Sequence, residues 1–130
     1  MEKHKRIALI DDDPIINLIH TKIITKGTDF QVMVYTNAQK AVEQFSSWLE
    51  SQPDQLPDVI FLDINMPIMD GWEFLDAFQK MPAVILERCK VFMLTSSINS
   101  EDIEKSRHYK SVYDFISKPL TPEKLSTMIN

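Results

Sequence analysis

Four short apolar runs, each stopped by a polar residue, constrain the fold of this 130-residue chain more than any other feature. Ile7-Ala8-Leu9-Ile10 ends in Asp11-Asp12-Asp13, and Val59-Ile60-Phe61-Leu62 ends in Asp63. Val91-Phe92-Met93-Leu94 ends in Thr95, and Phe115-Ile116-Ser117 ends in Lys118-Pro119. Short apolar runs bounded by polar residues and proline read as strands buried on both faces, the pattern of a parallel sheet. Open α/β sheets bind ligands beyond the carboxyl ends of their strands, so all four polar groups are expected along one edge.

Between these runs the pattern turns helical. Ile15, Ile16, Ile19 and Ile23 recur at helical spacing, with Asp13 as N-cap, Pro14 at the first helical position and Gly27 just past the end. Residues 30–35 are rich in β-branched and aromatic side chains and read as the second strand. Ala38, Ala41, Val42, Phe45, Trp48 and Leu49 mark one face of a second helix, which the 51–57 stretch ends. A loop holding Asn65, Met66, Pro67, Met69, Asp70 and Gly71 leads into a third helix with Leu75 and Phe78 turned inward. Ser100, Glu101 and Asp102 give an acidic first turn to a fourth helix. Residues 112–116 make the fifth strand, and Thr121-Pro122 starts a last helix carrying Leu125, Met128 and Ile129. Strand and helix thus alternate five times. The predicted class is α/β: a flavodoxin-like (βα)5 fold, with a doubly wound parallel five-stranded sheet in the order 2-1-3-4-5.

Composition narrows the functions open to such a fold. Hydrophobic residues make up 44% and charged residues 25%, an ordinary globular balance in a chain of single-domain size. A net charge of −5 argues against nucleic acid as a direct partner, since binding a phosphate backbone needs a basic surface. The basic cluster Lys3, His4, Lys5 and Arg6 is short and terminal, and reads as a solvated lead-in to the first strand. No apolar stretch approaches a membrane span, and the basic start precedes only four apolar residues, so neither a membrane anchor nor a signal peptide is expected. The expected location is cytoplasmic. Cys89, the one cysteine, forms neither an internal disulfide nor a zinc cluster and reads as a small apolar residue near a strand. His20 and His108 fall on predicted helices, far in sequence from the aspartates, and read as surface or packing residues.

In the 2-1-3-4-5 order the switch point lies between strands one and three, which end in Asp11-Asp12 and Asp63. Three carboxylates in one crevice repel one another unless a cation neutralises them. A hard divalent ion is therefore implied. Mg2+ fits best, because it takes a few oxygen ligands, keeps several waters and completes its shell with a substrate phosphate. Asp13 is left to cap the helix.

These residues together resemble the receiver domain of two-component response regulators, and the resemblance covers essentially the whole chain. Asp11-Asp12, Asp63 with Asn65-Met66-Pro67 and Met69-Asp70-Gly71, Thr95, and Lys118-Pro119 carry it in order. The resemblance implies that Asp63 is the phospho-acceptor. It implies that Asp12 and Asp63 bind Mg2+ directly, that Asn65 contributes its backbone carbonyl, and that Asp11 acts through a bound water. Thr95 would hydrogen-bond the phosphoryl group and Lys118 would pair with one of its oxygens. The Lys118-Pro119 bond is expected to be cis, as is usual in the family. Phe115 stands at the family's switch position, where a phenylalanine could act only by packing, with a plain core role as the competing reading. The 107–111 stretch lacks the Gly-Ala pair often seen in the family.

The implied function is Mg2+-dependent transfer of a phosphoryl group from a phosphohistidine, on a sensor histidine kinase or a histidine phosphotransfer protein, to Asp63. Output would be phosphorylation-dependent binding to a downstream protein through the surface around helix four, strand five and helix five. Such a module is not an enzyme toward other substrates, although it catalyses its own phosphorylation and dephosphorylation. Because residues 1–130 end directly after the last predicted helix, they are read as a single stand-alone receiver with no output domain. The alternative is a haloacid-dehalogenase-like phosphohydrolase, which also uses an aspartate nucleophile and Mg2+. That class needs a second aspartate two residues after the nucleophile, where this chain has Asn65. A nucleotide-binding module is disfavoured by the absence of a glycine-rich phosphate loop among only two glycines.

Overall fold

The computed structural model describes residues 5–129. Its strands are β1 (Arg6–Ile10), β2 (Gln31–Tyr35), β3 (Val59–Asp63), β4 (Lys90–Thr95) and β5 (Val112–Ser117). All pair in parallel in the order β2-β1-β3-β4-β5, the flavodoxin-like order expected. The helices are α1 (Pro14–Thr25), α2 (Ala38–Ser51), α3 (Gly71–Phe78), α4 (Ala83–Arg88), α5 (Ser100–Ser106) and α6 (Pro122–Ile129), with a 3-10 turn at Pro53–Gln55.

Side chains alternate across a strand, so each central strand feeds two cores. Ala8, Ile10, Ile60, Leu62, Val91 and Met93 pack with Ala41 and Phe45 of α2 and with Phe74 and Phe78 of α3. Ile7, Leu9, Val59, Phe61, Phe92 and Leu94 face the other way, with Ile24 of α1 and Leu125 of α6. Phe45 meets Phe74 edge-on at 6.2 Å on one side, and Phe61 stacks on Phe92 at 5.6 Å on the other. Each such side chain contributes roughly 1.5–3 kcal/mol of burial free energy.

A register shift between Val91 and Phe92 decides how β5 is used, because Val91 pairs with Val112 while Phe92 pairs with Asp114. Val112 and Phe115 are three apart and would point to opposite faces of a regular strand. The extra residue lets both pack on the same core while Ile116 serves the other.

Several expectations need correction. A sixth helix, α4, stands between α3 and β4, so the element read as the fourth helix is α5. Ile85 is the buried residue of α4, with the neighbouring Leu86 partly buried against the same core, and two adjacent apolar residues give no helical period to read. The inward face of α1 is Asn17, His20 and Ile24, whereas Ile15 and Ile19 are 67% and 42% exposed. Asp13 and Pro14 do start α1 as expected: the Asp13 carboxylate accepts the Ile15 N–H at 2.9 Å, and this start fixes the rotation of the helix. His108 lies in a turn after α5 rather than on a helix. Arg6 is not a loose lead-in, since its Nε donates to the Gln55 carbonyl at 2.8 Å and its guanidinium lies over Trp48. Lys3 and His4 lie outside the described residues, as does the side chain of Ile129. Gly27 ends α1 with φ of +72°, and Cys89 is buried before β4, where burial pushes its thiol up to about 12.

Candidate functional site

Parallel register brings the four strand ends level. Ile10 pairs with Leu62, Asp63 with Leu94, and Thr95 with Ser117. The next residue after each strand, or the last within it, therefore emerges at one edge, which gathers Asp11, Asp63, Thr95 and Lys118 as expected. The carboxylates of Asp11, Asp12 and Asp63 have oxygens within 4.8 Å of one another, with Asp12 exposed and the other two buried.

Lys118 bridges two of these groups. Its ammonium lies 2.8 Å from Asp11 Oδ2 and 3.0 Å from Asp63 Oδ1. Asp11 Oδ1 accepts the Asp13 N–H at 2.9 Å, and Asp63 Oδ1 accepts the Asn65 N–H at 3.4 Å. Burial raises the Asp63 carboxyl above its ordinary range; the Lys118 hydrogen bond opposes this and the Asp11 charge adds to it. Burial works against the Lys118 ammonium, but its bonds to Asp11 and Asp63 outweigh burial and hold its pKa above the usual lysine value. Three carboxylates face one ammonium, so two negative charges remain uncompensated. A hard divalent cation suits this all-oxygen donor set, with Asp11, Asp12 and Asp63 available to hold it.

The loop after β3 is shaped to leave Asp63 at its edge. Gly71 N–H donates to the Ile64 carbonyl at 2.8 Å, and a Cβ on Gly71 would sit 2.7 Å from the Asp63 carbonyl oxygen and 3.0 Å from Ile64 Cα. Asp70 then caps α3 in a reciprocal capping box with Glu73. Ile68 in this loop has φ of +71° and is 83% exposed, a strained conformation for a β-branched residue. Asn65 is exposed at the mouth of the site. Lys118-Pro119 is cis, as expected.

Thr95 is buried at the end of β4, but its hydroxyl is turned into the following loop. It donates to the Ser97 carbonyl at 3.0 Å and accepts the Ser97 N–H at 3.3 Å. Phe115 is half-buried and packs against the core that holds Met93 and Tyr109. Tyr109 fills the 107–111 stretch. Its ring lies 5.8 Å from that of Trp72, and its hydroxyl donates to Asp76 at 2.7 Å and is pushed up to about 12, by burial first and then by Asp76.

Two site-facing residues escaped sequence reasoning. Asn17 Nδ2 donates to the Asp11 carbonyl at 2.8 Å, and His20 Nε2 accepts the Leu120 N–H at 3.1 Å. The available signal was their i, i+3, i+7 spacing with Ile24, which competed with a more hydrophobic isoleucine pattern on the same helix.

The fold and this edge of carboxylates define an α/β module with an acidic site at the carboxyl ends of its strands, and comparison with known proteins gives the family. Residues 7–130 match the response regulator receiver domain, and the chain belongs to that family. It is 29% identical over 129 residues to hybrid signal transduction histidine kinase C of Dictyostelium discoideum, covering 95% of this chain and 10% of that protein. It is 27% identical over 128 residues to the two-component response regulator ORR1 of Oryza sativa subsp. japonica, covering 96% of this chain and 54% of that protein. The chain thus spans from a tenth to about half the length of these relatives. The crystal structure of a two component response regulator from Cytophaga hutchinsonii superposes with a TM-score of 0.86 at 30% identity, covering 97% of this chain and 94% of that one.

Proposed function

We propose that Asp63 accepts a phosphoryl group from a phosphohistidine, on a sensor histidine kinase or a histidine phosphotransfer protein, and that the modified domain then binds a downstream protein. The observation that carries this reading is the Lys118 ammonium seated between Asp11 and Asp63, beside a third carboxylate. An Asp63 oxygen forms the new bond to phosphorus as the P–N bond to the donor imidazole breaks, and the released ring nitrogen takes a proton. A carboxylate is a weak nucleophile, so the reaction depends on positioning and on cancelling charge around the incoming group. Lys118 supplies one positive centre and is free to pass from Asp63 to a phosphoryl oxygen. Mg2+ held by Asp11, Asp12, Asp63 and the Asn65 carbonyl would supply the other, as electrostatic stabilisation of the phosphoryl oxygens.

For Thr95 to hydrogen-bond a phosphoryl oxygen, its hydroxyl must leave the Ser97 carbonyl. That releases the loop leading to α5, a helix with no buried residue of its own among those described. A helix held so lightly costs little to shift, which favours an output surface around α5, β5 and α6, with half-buried Phe115 able to follow by repacking. The donor is proposed to dock on the exposed apolar face of α1, where Ile15, Leu18 and Ile19 begin one turn from Asp12. A haloacid-dehalogenase-like phosphohydrolase is not favoured, given the receiver-family match and Asn65 in place of an aspartate.

Intact-mass measurement after exposure to a small phosphodonor tests the assignment. Wild type should gain one phosphoryl group in Mg2+ and none after chelation, and Asp63→Asn should gain none. Equal labelling of Asp63→Asn would show that another residue is the acceptor, and repeated turnover of p-nitrophenyl phosphate would favour a hydrolase.

A further inference from the structure

We infer that His20 is a positioning residue for Lys118: its ring accepts the Leu120 backbone N–H and so fixes the segment from which the Lys118 ammonium reaches Asp11 and Asp63. The inference rests on the reading of Asp63 as acceptor and Lys118 as its electrostatic partner.

The segment after β5 has few ties of its own. Pro119 lacks an N–H, so residues 118–120 offer two backbone donors. Lys118 N–H goes to the Thr95 carbonyl at 2.8 Å, within the strand register, and Leu120 N–H goes to His20 at 3.1 Å. Beyond the strand, His20 is therefore the group that satisfies the backbone donor of this turn. Leu120 is 1% exposed and His20 is fully buried, so water has no access to replace the bond. From α6, Lys124 Nζ donates to the Ser117 and Pro119 carbonyls at 2.9 and 3.2 Å. The turn is thus held by its carbonyls from α6 and by its N–H from α1.

An accepting Nε2 puts the ring proton on Nδ1, which identifies one neutral tautomer. Burial favours the neutral ring; the Asp11 charge opposes this and the Lys118 charge adds to it. Those two charges form the Lys118–Asp11 ion pair, so His20 sits within electrostatic reach of the pair it positions. The competing reading is simple packing, in which an apolar side chain of similar size would serve as well. The hydrogen bond separates the two.

Ring 15N NMR of the wild-type protein should show Nδ1 protonated and Nε2 bare. His20→Leu should slow phosphorylation by a saturating small phosphodonor about tenfold to a hundredfold, the scale of a displaced reacting group, while Mg2+ affinity stays within about twofold. His20→Gln, whose amide oxygen can take the place of Nε2, should restore most of the rate. In a Lys118→Ala background His20→Leu should add nothing, since both act through the same ammonium. Should His20→Leu not fold, His20→Asn, too short to reach Leu120, makes the same comparison against His20→Gln. A ring protonated on Nε2, a wild-type rate in the variant lacking the acceptor, or an equal further loss in the Lys118→Ala background would each overturn the inference. Equal labelling of Asp63→Asn would instead sink the acceptor assignment, while the tautomer and the Leu120 amide would still report on the bond.

Discussion

Gly71 shows how one residue can hold Asp63, the proposed acceptor, in place. Its missing Cβ lets the start of α3 lie against the backbone of Asp63 and Ile64, and the atoms a Cβ would meet are main-chain atoms that cannot swing aside. Gly71→Ala is therefore expected to destabilise the fold by about 1–3 kcal/mol, the usual cost of overpacking, and to slow Asp63 phosphorylation. Urea denaturation and labelling by a small phosphodonor check both. A variant equal to wild type in both would mean that the loop yields without cost. The sequence pointed to Gly71 by its place after Asp70, yet the 2.7 Å approach that makes glycine necessary arises from two segments meeting in space.

At the scale of elements, α1 presents two chemically different faces. Its polar inner face supports the site through Asn17 and His20, and its outer face leaves Leu18 57% exposed, lining a shallow depression with Val34. Exposed apolar clusters beside a reactive group suit a macromolecular donor. Leu18→Asp is expected to weaken docking of the phosphohistidine protein by about 2 kcal/mol, on the scale of an interface hot spot, and to leave labelling by a small phosphodonor unchanged. Comparing the two donors side by side measures this, and equal loss with both would place the defect in the site itself. The isoleucine pattern of α1 was legible in the sequence, but its direction was not. Helical spacing identifies residues that share a face without saying which way that face points, and here the cap at Asp13 and the bond from Asn17 to Asp11 set the rotation.

For the whole molecule, His20 couples stability to pH. Its folded pKa is lowered below the ordinary 6.5, first by burial and then by Lys118, with Asp11 opposing. A depressed folded pKa means that the unfolded chain binds the proton more readily. The contribution of neutral His20 is thus complete above about pH 6.5 and is lost as pH falls through the lowered folded value. Denaturation midpoints measured from pH 7.5 downward, on the order of one point per half unit, should fall more steeply for wild type than for His20→Gln. Parallel curves would show that His20 protonates as easily in the folded protein as in the unfolded one.

The amino-acid sequence by itself determined the parallel strands and the meeting of Asp11, Asp12, Asp63, Thr95 and Lys118 at one edge, while the strand order came with the flavodoxin-like class those strands imply. It could do so because a run of apolar residues ending in a polar one is a local signal, and parallel pairing aligns the ends of such runs. Tertiary structure decided what depends on contacts between distant segments. The turn of α1, the helix α4 held by the adjacent Ile85 and Leu86, and the β5 irregularity that brings Val112 and Phe115 to one core all belong to this class. So does the bond between His20 and Leu120, one hundred positions apart, because no local pattern records which buried donor a buried acceptor will meet.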